Sequence, residues 1–487
     1  GGRRGRSRGG AMAAPGAKPA SGAVRLDALD GPRYLASAHV VGFHYYWNLT
    51  RYFDLGGMWT QFFFIMGGFL LSYAEMSKPA AKRPKLKSAE YLKKRLTAIY
   101  PLYIFALVMM MMVMQPQNLM SWCSLPLHLV LLQAVLPICA QYGSDFTCTS
   151  YTFNSVSWFL SCLVVYWLML RPLARRIERL SLGTCFIWLL CLWAWSVVPV
   201  LAWSLLGKLT HEEGYAYAMY GNALQSGPLG YLHVFLAGIF TARIFVLTSM
   251  RDASTGEAPV GTEFSRLVLS SESAPWLLRN GTLFGYALWV AFAAAWMLIM
   301  PGGPREGYVK YTFYFFHNGG LLPVLVLVFL GSAIGADILS TYVFRLELFK
   351  FLGKVSYAQY LLQEPVGHFL GHYVAPGQEN PSTLAFRLGF PPLLILSAYL
   401  SQRFIERPYS EWQRTRQQAG IIGIDEAALA AVDRQLKKSG ALLADFRTRF
   451  RPRRHGVDYS DDGDTDGWRS QSDSGSESSG NESSAPE

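Results

Sequence analysis

Eleven apolar stretches of 16 to 26 residues constrain the fold of this chain more than any other feature of its sequence. An α-helix needs about 20 consecutive apolar residues to cross the hydrocarbon core of a bilayer. Only 16% of the 487 residues are charged, whereas soluble domains carry about 25%. The sequence therefore predicts an all-α, polytopic membrane helix bundle. The stretches lie at 34–49, 57–76, 97–115, 121–140, 156–173, 184–207, 228–249, 282–300, 319–337, 350–375 and 383–404.

The basic residues predict which loops face the cytoplasm. Loop 77–96 holds eight Lys and Arg residues and one acid, and short loops rich in Lys and Arg stay on the cytoplasmic side. If 121–140 crossed the membrane, the basic loop at 171–179 would lie on the non-cytoplasmic side, which conflicts with this rule. We therefore predict that 121–140 is re-entrant or interfacial, that ten helices cross, and that both termini are cytoplasmic. The membrane is a plasma membrane or an endomembrane. The stretch 304–318, aromatic but broken by charges, is predicted outside the bilayer.

The net charge of +11 does not indicate a nucleic-acid partner. The basic residues lie in short loops beside the apolar stretches, where they determine membrane topology. Six cysteines are too few for a disulfide scaffold, and no Cys/His cluster has zinc spacing, so we predict no metal site. Cys139 and Cys148 either form a disulfide in an oxidising compartment or remain free thiols.

Both ends of the chain differ in composition from the apolar region 33–412. Residues 1–32 are rich in Gly, Ala and Arg and are predicted to be disordered. Region 413–455 has helical spacing followed by a basic cluster, which predicts a cytoplasmic amphipathic helix. This helix either lies on the inner leaflet against anionic lipid or is solvated without a partner. The Ser-rich, acidic residues 456–487 are predicted to be disordered.

Ionisable residues inside the apolar stretches are the first candidates for function. Arg33 and His44 lie eleven residues apart, which places both on one face of a helix about 16 Å apart. An ionisable group within a membrane helix costs about 2.5 kcal/mol or more. Alternatively, Arg33 is a cytoplasmic anchor and His44 belongs to an interfacial aromatic belt. Two further ionisable residues, His233 and Glu364, also lie in apolar stretches. They either pair with each other, contact substrate or hold the helices of the bundle together.

Several short motifs follow this pair in a fixed order. They are Phe62-Phe-Phe-Ile-Met-Gly67-Gly68, Lys94-Arg95-Leu-Thr-Ala98-Ile-Tyr-Pro101, Trp158-Phe-Leu-Ser161, Phe235-Leu-Ala-Gly238, Leu352-Gly-Lys-Val-Ser356-Tyr357 and Phe404-Ile-Glu406-Arg407-Pro408. Together with Arg33 and His44 they resemble the acyltransferase-3 family of membrane-bound O-acyltransferases, over roughly 25–412. The family pattern often has Ser, Arg, Glu and His at four positions that are Gly67, Ala98, Leu163 and Gln363 here.

The resemblance implies transfer of an acyl group, typically acetyl, from acetyl-CoA or another acyl-CoA to a hydroxyl. The acceptor is commonly a carbohydrate or a lipid-linked glycan, and the donor is cytoplasmic. A hydroxyl is a poor nucleophile until a base removes its proton, and imidazole, with an ordinary pKa of about 6.5, suits that role. We therefore predict His44 as the general base. Arg33 is predicted to hold a donor phosphate or a partner acid.

Two further groups of residues complete the predicted site. Lys93, Lys94 and Arg95 are predicted to bind the nucleotide end of coenzyme A; alternatively, this cluster serves topology alone. The residues predicted to contact substrate are Trp158, Ser161 and Tyr357. The alternative for Trp158 and Ser161 is helix packing without a substrate contact.

Two other functions remain open from the sequence. Buried Arg, His and Glu residues also mark the substrate paths of transporters and flippases, but such proteins often have inverted repeats with interrupted helices. We find no such repeat in the sequence. The four departures from the family pattern also permit a non-catalytic membrane scaffold derived from an acyltransferase.

Overall fold

The computed structural model of the chain describes residues 26–46, 50–83, 88–114, 119–136, 138–142, 145–211, 215–259, 264–299, 307–374 and 383–421. Of the segment 1–32 that is predicted to be disordered, residues 1–25 lie outside the described residues, whereas 27–32 are helical and include the start of the first long helix. The amphipathic helix and basic cluster predicted within 413–455 lie outside them from residue 422 onward, and so does the acidic tail at 456–487.

Helices dominate the described residues. The α-helices are α1 (Asp30–Tyr45), α2 (Thr60–Met76), α3 (Ser88–Met114), α4 (Leu119–Leu129), α5 (Trp158–Ile177), α6 (Leu182–Trp195), α7 (Val197–Thr210), α8 (Tyr215–Ser226), α9 (Pro228–Ser249), α10 (Trp276–Arg279), α11 (Gly281–Ile299), α12 (Gly307–Phe315), α13 (Leu322–Ile334), α14 (Glu347–Val374), α15 (Leu384–Ser401) and α16 (Arg407–Ile421). The strands form two antiparallel hairpins, β1 (Cys139–Tyr142) with β2 (Asp145–Cys148) and β3 (Met250–Asp252) with β4 (Leu267–Leu269).

Eight helical runs among the described residues are long and apolar enough to cross a membrane. They are Arg51–Met76, Ser88–Met114, Ser155–Ile177, Leu182–Thr210, Tyr215–Ser249, Gly281–Ile299, Val309–Ile334 and Leu384–Arg416. The other two predicted crossings fall within α1, which has 16 residues, and α14, which carries charged residues. The chain is thus a multi-pass helical membrane protein, while the count of ten crossings remains a prediction.

The predicted re-entrant segment is folded against the rest of the bundle. Helix α4 has eleven residues, about 16 Å at 1.5 Å per residue, which is too short to cross a core of about 30 Å. After α4 the chain turns, and its backbone N–H at Ala134 donates to Ser161 Oγ at 3.2 Å. The β1–β2 hairpin follows, and a disulfide joins Cys139 to Cys148. The structure thus supports a re-entrant or interfacial segment and contains the disulfide.

The stretch 304–318 differs from its prediction as a loop outside the bilayer. Its described residues form α12 and the start of a kinked turn, Phe316–Gly320, that leads into α13. The candidate span Val309–Ile334 includes them. The charges of 304–318 lie toward its beginning, at Arg305, Glu306 and Lys310. The aromatic residues that follow these charges lie before α13. They lengthen the apolar segment of α13 toward its N-terminus.

Small residues allow the helices at the centre of the bundle to touch through their backbones. A Cβ atom on Gly68 of α2 would lie 2.2 Å from the backbone oxygen of Phe235 in α9. A Cβ atom on Gly238 of α9 would lie 2.3 Å from the backbone oxygen of Ile65. Small residues at such crossings permit the close approach on which packing between membrane helices depends. The Gly-Gly and Phe-x-x-Gly motifs are therefore two halves of one contact between α2 and α9.

Helix α14 runs parallel to α1 and holds it in place. Gly353 contacts Asp30 near the start of α1, and Gly367 contacts Tyr45 at its end. Between them, the hydroxyl of Ser37 donates to the backbone oxygen of Ser356 at 3.2 Å. Helix α1, with its arginine and histidine, is therefore fixed along its whole length.

Candidate active site

Arg33 lies at the first turn of α1, where acidic groups surround it. Its guanidinium is half-buried and interacts electrostatically with the carboxylates of Asp30 and Glu406. Glu406 belongs to the last of the family-like motifs, and its Oε1 is buried without a hydrogen-bond partner among the described residues. Arg33 itself has no hydrogen-bond partner in the described part of the chain. This electrostatic interaction supports the predicted partner acid and leaves the donor atoms of the guanidinium free.

His44 lies near the other end of α1. The side chain is half-buried, and the ring of Phe43 packs edge-on against it with centroids 5.2 Å apart. Neither ring nitrogen of His44 has a hydrogen-bond partner among the residues that the structure describes. A general base needs a free nitrogen that a substrate hydroxyl can reach, and His44 has free ring nitrogens among the described residues.

The histidine and the acid that the sequence left open have structural partners. His233 Nε2 donates to the backbone oxygen of Asn318 at 2.6 Å. Glu364 accepts hydrogen bonds from the backbone N–H of Ser155, at 2.5 Å, and from the Ser155 hydroxyl. The hydrogen bond of His233 therefore links α9 to the kinked turn, and the hydrogen bonds of Glu364 link α14 to the turn before α5. They do not pair with each other.

The break between α12 and α13 is closed by side chains from three other helices. Asn318 and Gly319 leave helical geometry, Gly319 with a φ of +132°, a conformation that glycine adopts without strain. Three backbone oxygens at the break accept hydrogen bonds. Their donors are Gln61 Nε2 to Phe316 O at 2.5 Å, His233 Nε2 to Asn318 O at 2.6 Å and Trp193 Nε1 to Gly320 O at 2.9 Å. A broken helix inside a membrane protein is stable when its freed groups are satisfied in this way.

Within this break lies His317, which the sequence analysis missed because it placed 304–318 outside the membrane. Its Nδ1 is 2.8 Å from the hydroxyl of Tyr231 and 3.2 Å from Asn318 Oδ1. The side chain is half-buried. A histidine followed by Asn-Gly-Gly at the start of an apolar stretch was the available signal in the sequence.

The three basic residues predicted to bind the donor lie together at the start of α3. Lys93 and Lys94 are exposed, and Arg95 is half-buried with its guanidinium 5.0 Å from the ring centroid of Tyr91. Arg171, which the sequence analysis assigned to topology, also lies over Tyr91 at 5.8 Å. The structure thus exposes Lys93 and Lys94, and it places Arg95 and Arg171 on one aromatic ring.

The residues predicted to contact substrate have packing partners in this structure. Trp158 stacks on Tyr231 with centroids 5.4 Å apart, and the buried Ser161 accepts the hydrogen bond from Ala134 described above. Tyr357 is half-buried, and its hydroxyl donates to the backbone oxygen of Ile99 at 3.4 Å. These contacts favour the packing alternative for Trp158 and Ser161, and their contact with substrate stays a prediction.

Two of the four departures from the family pattern touch each other. A Cβ atom on Gly67 would lie 3.5 Å from Leu163 Cδ2. Ser and Glu, which are common at these two positions in the family pattern, are both polar, whereas this chain has two apolar residues there. The two departures therefore fall at one contact between α2 and α5. Gln363 is fully buried and donates to the backbone oxygen of Tyr360 at 2.9 Å.

Comparison with known proteins assigns the chain to a family. A family model, acyltransferase-3, described as an acyltransferase domain, matches residues 26–402. No curated protein and no solved structure matches the chain. The matched region includes α1, the kinked turn and the complete α14. The chain therefore belongs to the acyltransferase-3 family and is a multi-pass membrane acyltransferase.

Proposed function

We propose that the protein transfers an acyl group, acetyl in the first instance, from acyl-CoA to a hydroxyl of a carbohydrate or lipid-linked acceptor. His44 is the general base in this proposal. The observation that carries it is the half-buried imidazole on α1, without a hydrogen-bond partner among the described residues, in a chain of an acyltransferase family.

The proposed reaction needs one base and no metal. His44 removes the proton of the acceptor hydroxyl while the hydroxyl oxygen attacks the carbonyl carbon of the thioester. The tetrahedral intermediate then collapses: the carbon–sulfur bond breaks, and an ester forms. The departing thiolate takes the proton from the imidazolium and leaves as coenzyme A thiol. Because the base ends as it began, one imidazole is enough for each turnover.

The donor enters from the face that carries Arg33 and the basic start of α3. Arg33 and Arg95 can each bind a phosphate through the planar fork of the guanidinium. Lys93 and Lys94 add two exposed ammonium groups to the same face. In this arrangement the pantetheine arm extends along α1 toward His44, a distance of about 16 Å.

Replacing both exposed lysines is expected to weaken donor binding. The double variant Lys93→Gln, Lys94→Gln should raise the KM for acetyl-CoA roughly 3- to 10-fold, because exposed ion pairs contribute about 0.2–1 kcal/mol each, and should leave kcat within twofold. Steady-state kinetics on purified protein measures both constants. Lys208→Gln is the matched control, an exposed lysine at the end of α7, on the predicted outer face. An equal rise in KM for the control would show a general charge effect.

We also propose ten crossings with both termini in the cytoplasm and the β1–β2 hairpin on the opposite face. In sealed, oriented vesicles, prolonged incubation with a membrane-impermeant reductant and then an impermeant maleimide should label Cys139 and Cys148, whose side chains are buried, from the non-cytoplasmic side. Disulfides persist on oxidising faces of membranes, which supports this orientation. Labelling of the two cysteines from the cytoplasmic side would overturn it.

The activity itself is tested with labelled acetyl-CoA. Purified protein in lipid nanodiscs is incubated with radiolabelled acetyl-CoA and a panel of sugars, oligosaccharides and glycolipids, and the products are identified by mass spectrometry. We expect an acetyl ester on at least one acceptor. Absence of any ester or released acetate, with protein that is folded by its thermal transition, would contradict the proposal.

The broken helix deserves comparison with transporters, which use such breaks to coordinate ions through freed carbonyls. Here the oxygens of Phe316, Asn318 and Gly320 each accept a hydrogen bond from a side chain. Because these three oxygens already accept hydrogen bonds from the protein, they are not free to coordinate an ion. This observation favours the acyltransferase over the transporter.

A further inference from the structure

We propose that His317 is a second imidazole of the active site, whose Nε2 accepts a hydrogen bond from a hydroxyl of the acceptor. This inference rests on the proposed function and deepens it, because it assigns the acceptor a contact on the kinked turn between α12 and α13.

Hydrogen bonds on one side of the ring determine where its proton lies. Asn318 Nδ2 donates to the backbone oxygen of Leu224 at 2.7 Å, so Asn318 Oδ1 is the atom that faces His317 Nδ1. The hydroxyl of Tyr231 donates to the backbone oxygen of Gln225 at 3.0 Å, so its oxygen is left to accept from His317 Nδ1. Since both neighbours of Nδ1 are acceptors, the neutral ring carries its proton on Nδ1, and Nε2 has a free lone pair.

The free nitrogen lies beside Gly57, which also lies close to Phe43 of α1. A Cβ atom on Gly57 would lie 3.3 Å from His317 Nε2 and 3.7 Å from the ring of Phe43. A side chain at Gly57 would therefore crowd this nitrogen. Phe43 precedes His44 in α1 and packs against its ring. Both imidazoles therefore lie near the ring of Phe43.

Other buried histidines use Nε2 differently. His39, His128 and His233 each place Nε2 within 3.0 Å of a backbone oxygen, so in these rings Nε2 carries the proton and donates. His317 has the reverse arrangement, and its Nε2 has no hydrogen-bond partner in the described part of the chain. Enzymes commonly orient a reactive imidazole through hydrogen bonds to one ring nitrogen. The other nitrogen is then free to act as a base or as a hydrogen-bond acceptor.

The first test measures the chemical reactivity of the free Nε2 of His317 and does not require catalytic turnover. Diethyl pyrocarbonate acylates unprotonated, accessible imidazole nitrogens, and peptide mass spectrometry locates the modified histidines. In nanodiscs without substrate, His317 should react at a rate comparable to His44 and at least about tenfold faster than His233. A reaction of His317 as slow as that of His233 would overturn the inference, whether or not the protein transfers acyl groups.

The second test separates a substrate contact from a structural role. His317→Leu removes the acceptor atom, and His317→Gln keeps one. With labelled acetyl-CoA and the acceptor found in the activity screen, we expect His317→Leu to lower kcat/KM for the acceptor on the order of 10- to 100-fold, and His317→Gln to restore part of it. Hydrolysis of acetyl-CoA by water, which needs no acceptor contact, should stay within twofold in both variants and in the exposed control His372→Gln.

The outcomes distinguish the two proposals. An equal loss of hydrolysis and of transfer in His317→Leu would identify a structural residue and overturn the inference. Unchanged transfer in an active His317→Leu would also overturn it, while the proposed function would stand. A wild-type protein without any transfer would defeat the proposed function and the role of His317 together.

Discussion

Acyl transfer by a His44→Ala variant is expected to be slower than that of the wild-type protein by about 10²- to 10⁴-fold in kcat, the usual contribution of a positioned general base. The physical reason is that no other group then takes the hydroxyl proton as the ester bond forms. The structure supports a loss of activity without a loss of fold, because His44 makes no hydrogen bond with the described residues. The expected measurement is single-turnover transfer from labelled acetyl-CoA.

Two controls make this result specific. The exposed His372→Ala variant, on α14, should keep its activity within twofold. The thermal transition of His44→Ala should lie close to that of the wild-type protein. A transporter would keep part of its transport in His44→Ala, and a scaffold would have no transfer to lose. Full transfer by a folded His44→Ala protein would remove the imidazole from the mechanism.

Gly68→Ala is expected to cause a large loss of stability at the contact between α2 and α9. The added Cβ would lie 2.2 Å from the backbone oxygen of Phe235, so α2 and α9 must move apart. Overpacking of this kind costs about 1–3 kcal/mol or more, and the obstacle here is backbone and cannot rotate away. Thermal unfolding in nanodiscs should show a transition several degrees lower, with less folded protein recovered from membranes.

The neighbouring residue provides the matched control. A Cβ atom on Gly67 would lie 3.5 Å from Leu163 and 3.6 Å from the ring of Phe235, which are ordinary contacts. Gly67→Ala should therefore be neutral or slightly stabilising, since alanine is favoured over glycine in a helix by roughly 0.5–1 kcal/mol. Equal destabilisation by the two substitutions would contradict the proposed backbone contact between α2 and α9.

The parts of this fold that depend on local pattern were predictable from the sequence. Apolar length gave the helical membrane bundle, and loop charge predicted that 121–140 does not cross, a prediction that the short α4 supports. The spacing of Arg33 and His44 placed both on one helix, as α1 shows. These signals are local, because they arise from hydropathy, charge and helical periodicity within one segment.

The kinked turn could not be predicted in the same way. It is held by Gln61, Trp193 and His233, which lie far from it in sequence. No periodicity within 304–318 reveals these long-range contacts, and the charges that precede the turn suggested a loop. The sequence analysis consequently missed His317 and left the role of His233 open.

The positions of the four departures from the family pattern make them weak evidence for a non-catalytic scaffold. Gly67 lies next to Leu163, so two of the departures fall at one place in the bundle. Ala98 is exposed on α3, and Gln363 bonds within α14. None of the four replaces Arg33 or His44, and the scaffold alternative therefore has no support from the proposed catalytic pair.

The most direct measurement of the central claim is the structure of the protein in a nanodisc with a non-hydrolysable acyl-CoA analogue, determined by electron cryomicroscopy. We expect the nucleotide to lie against Lys93, Lys94 and Arg95, and the acyl end to lie beside the imidazole of His44. An acyl end bound away from α1, with the ring of His44 in contact with lipid, would contradict the account.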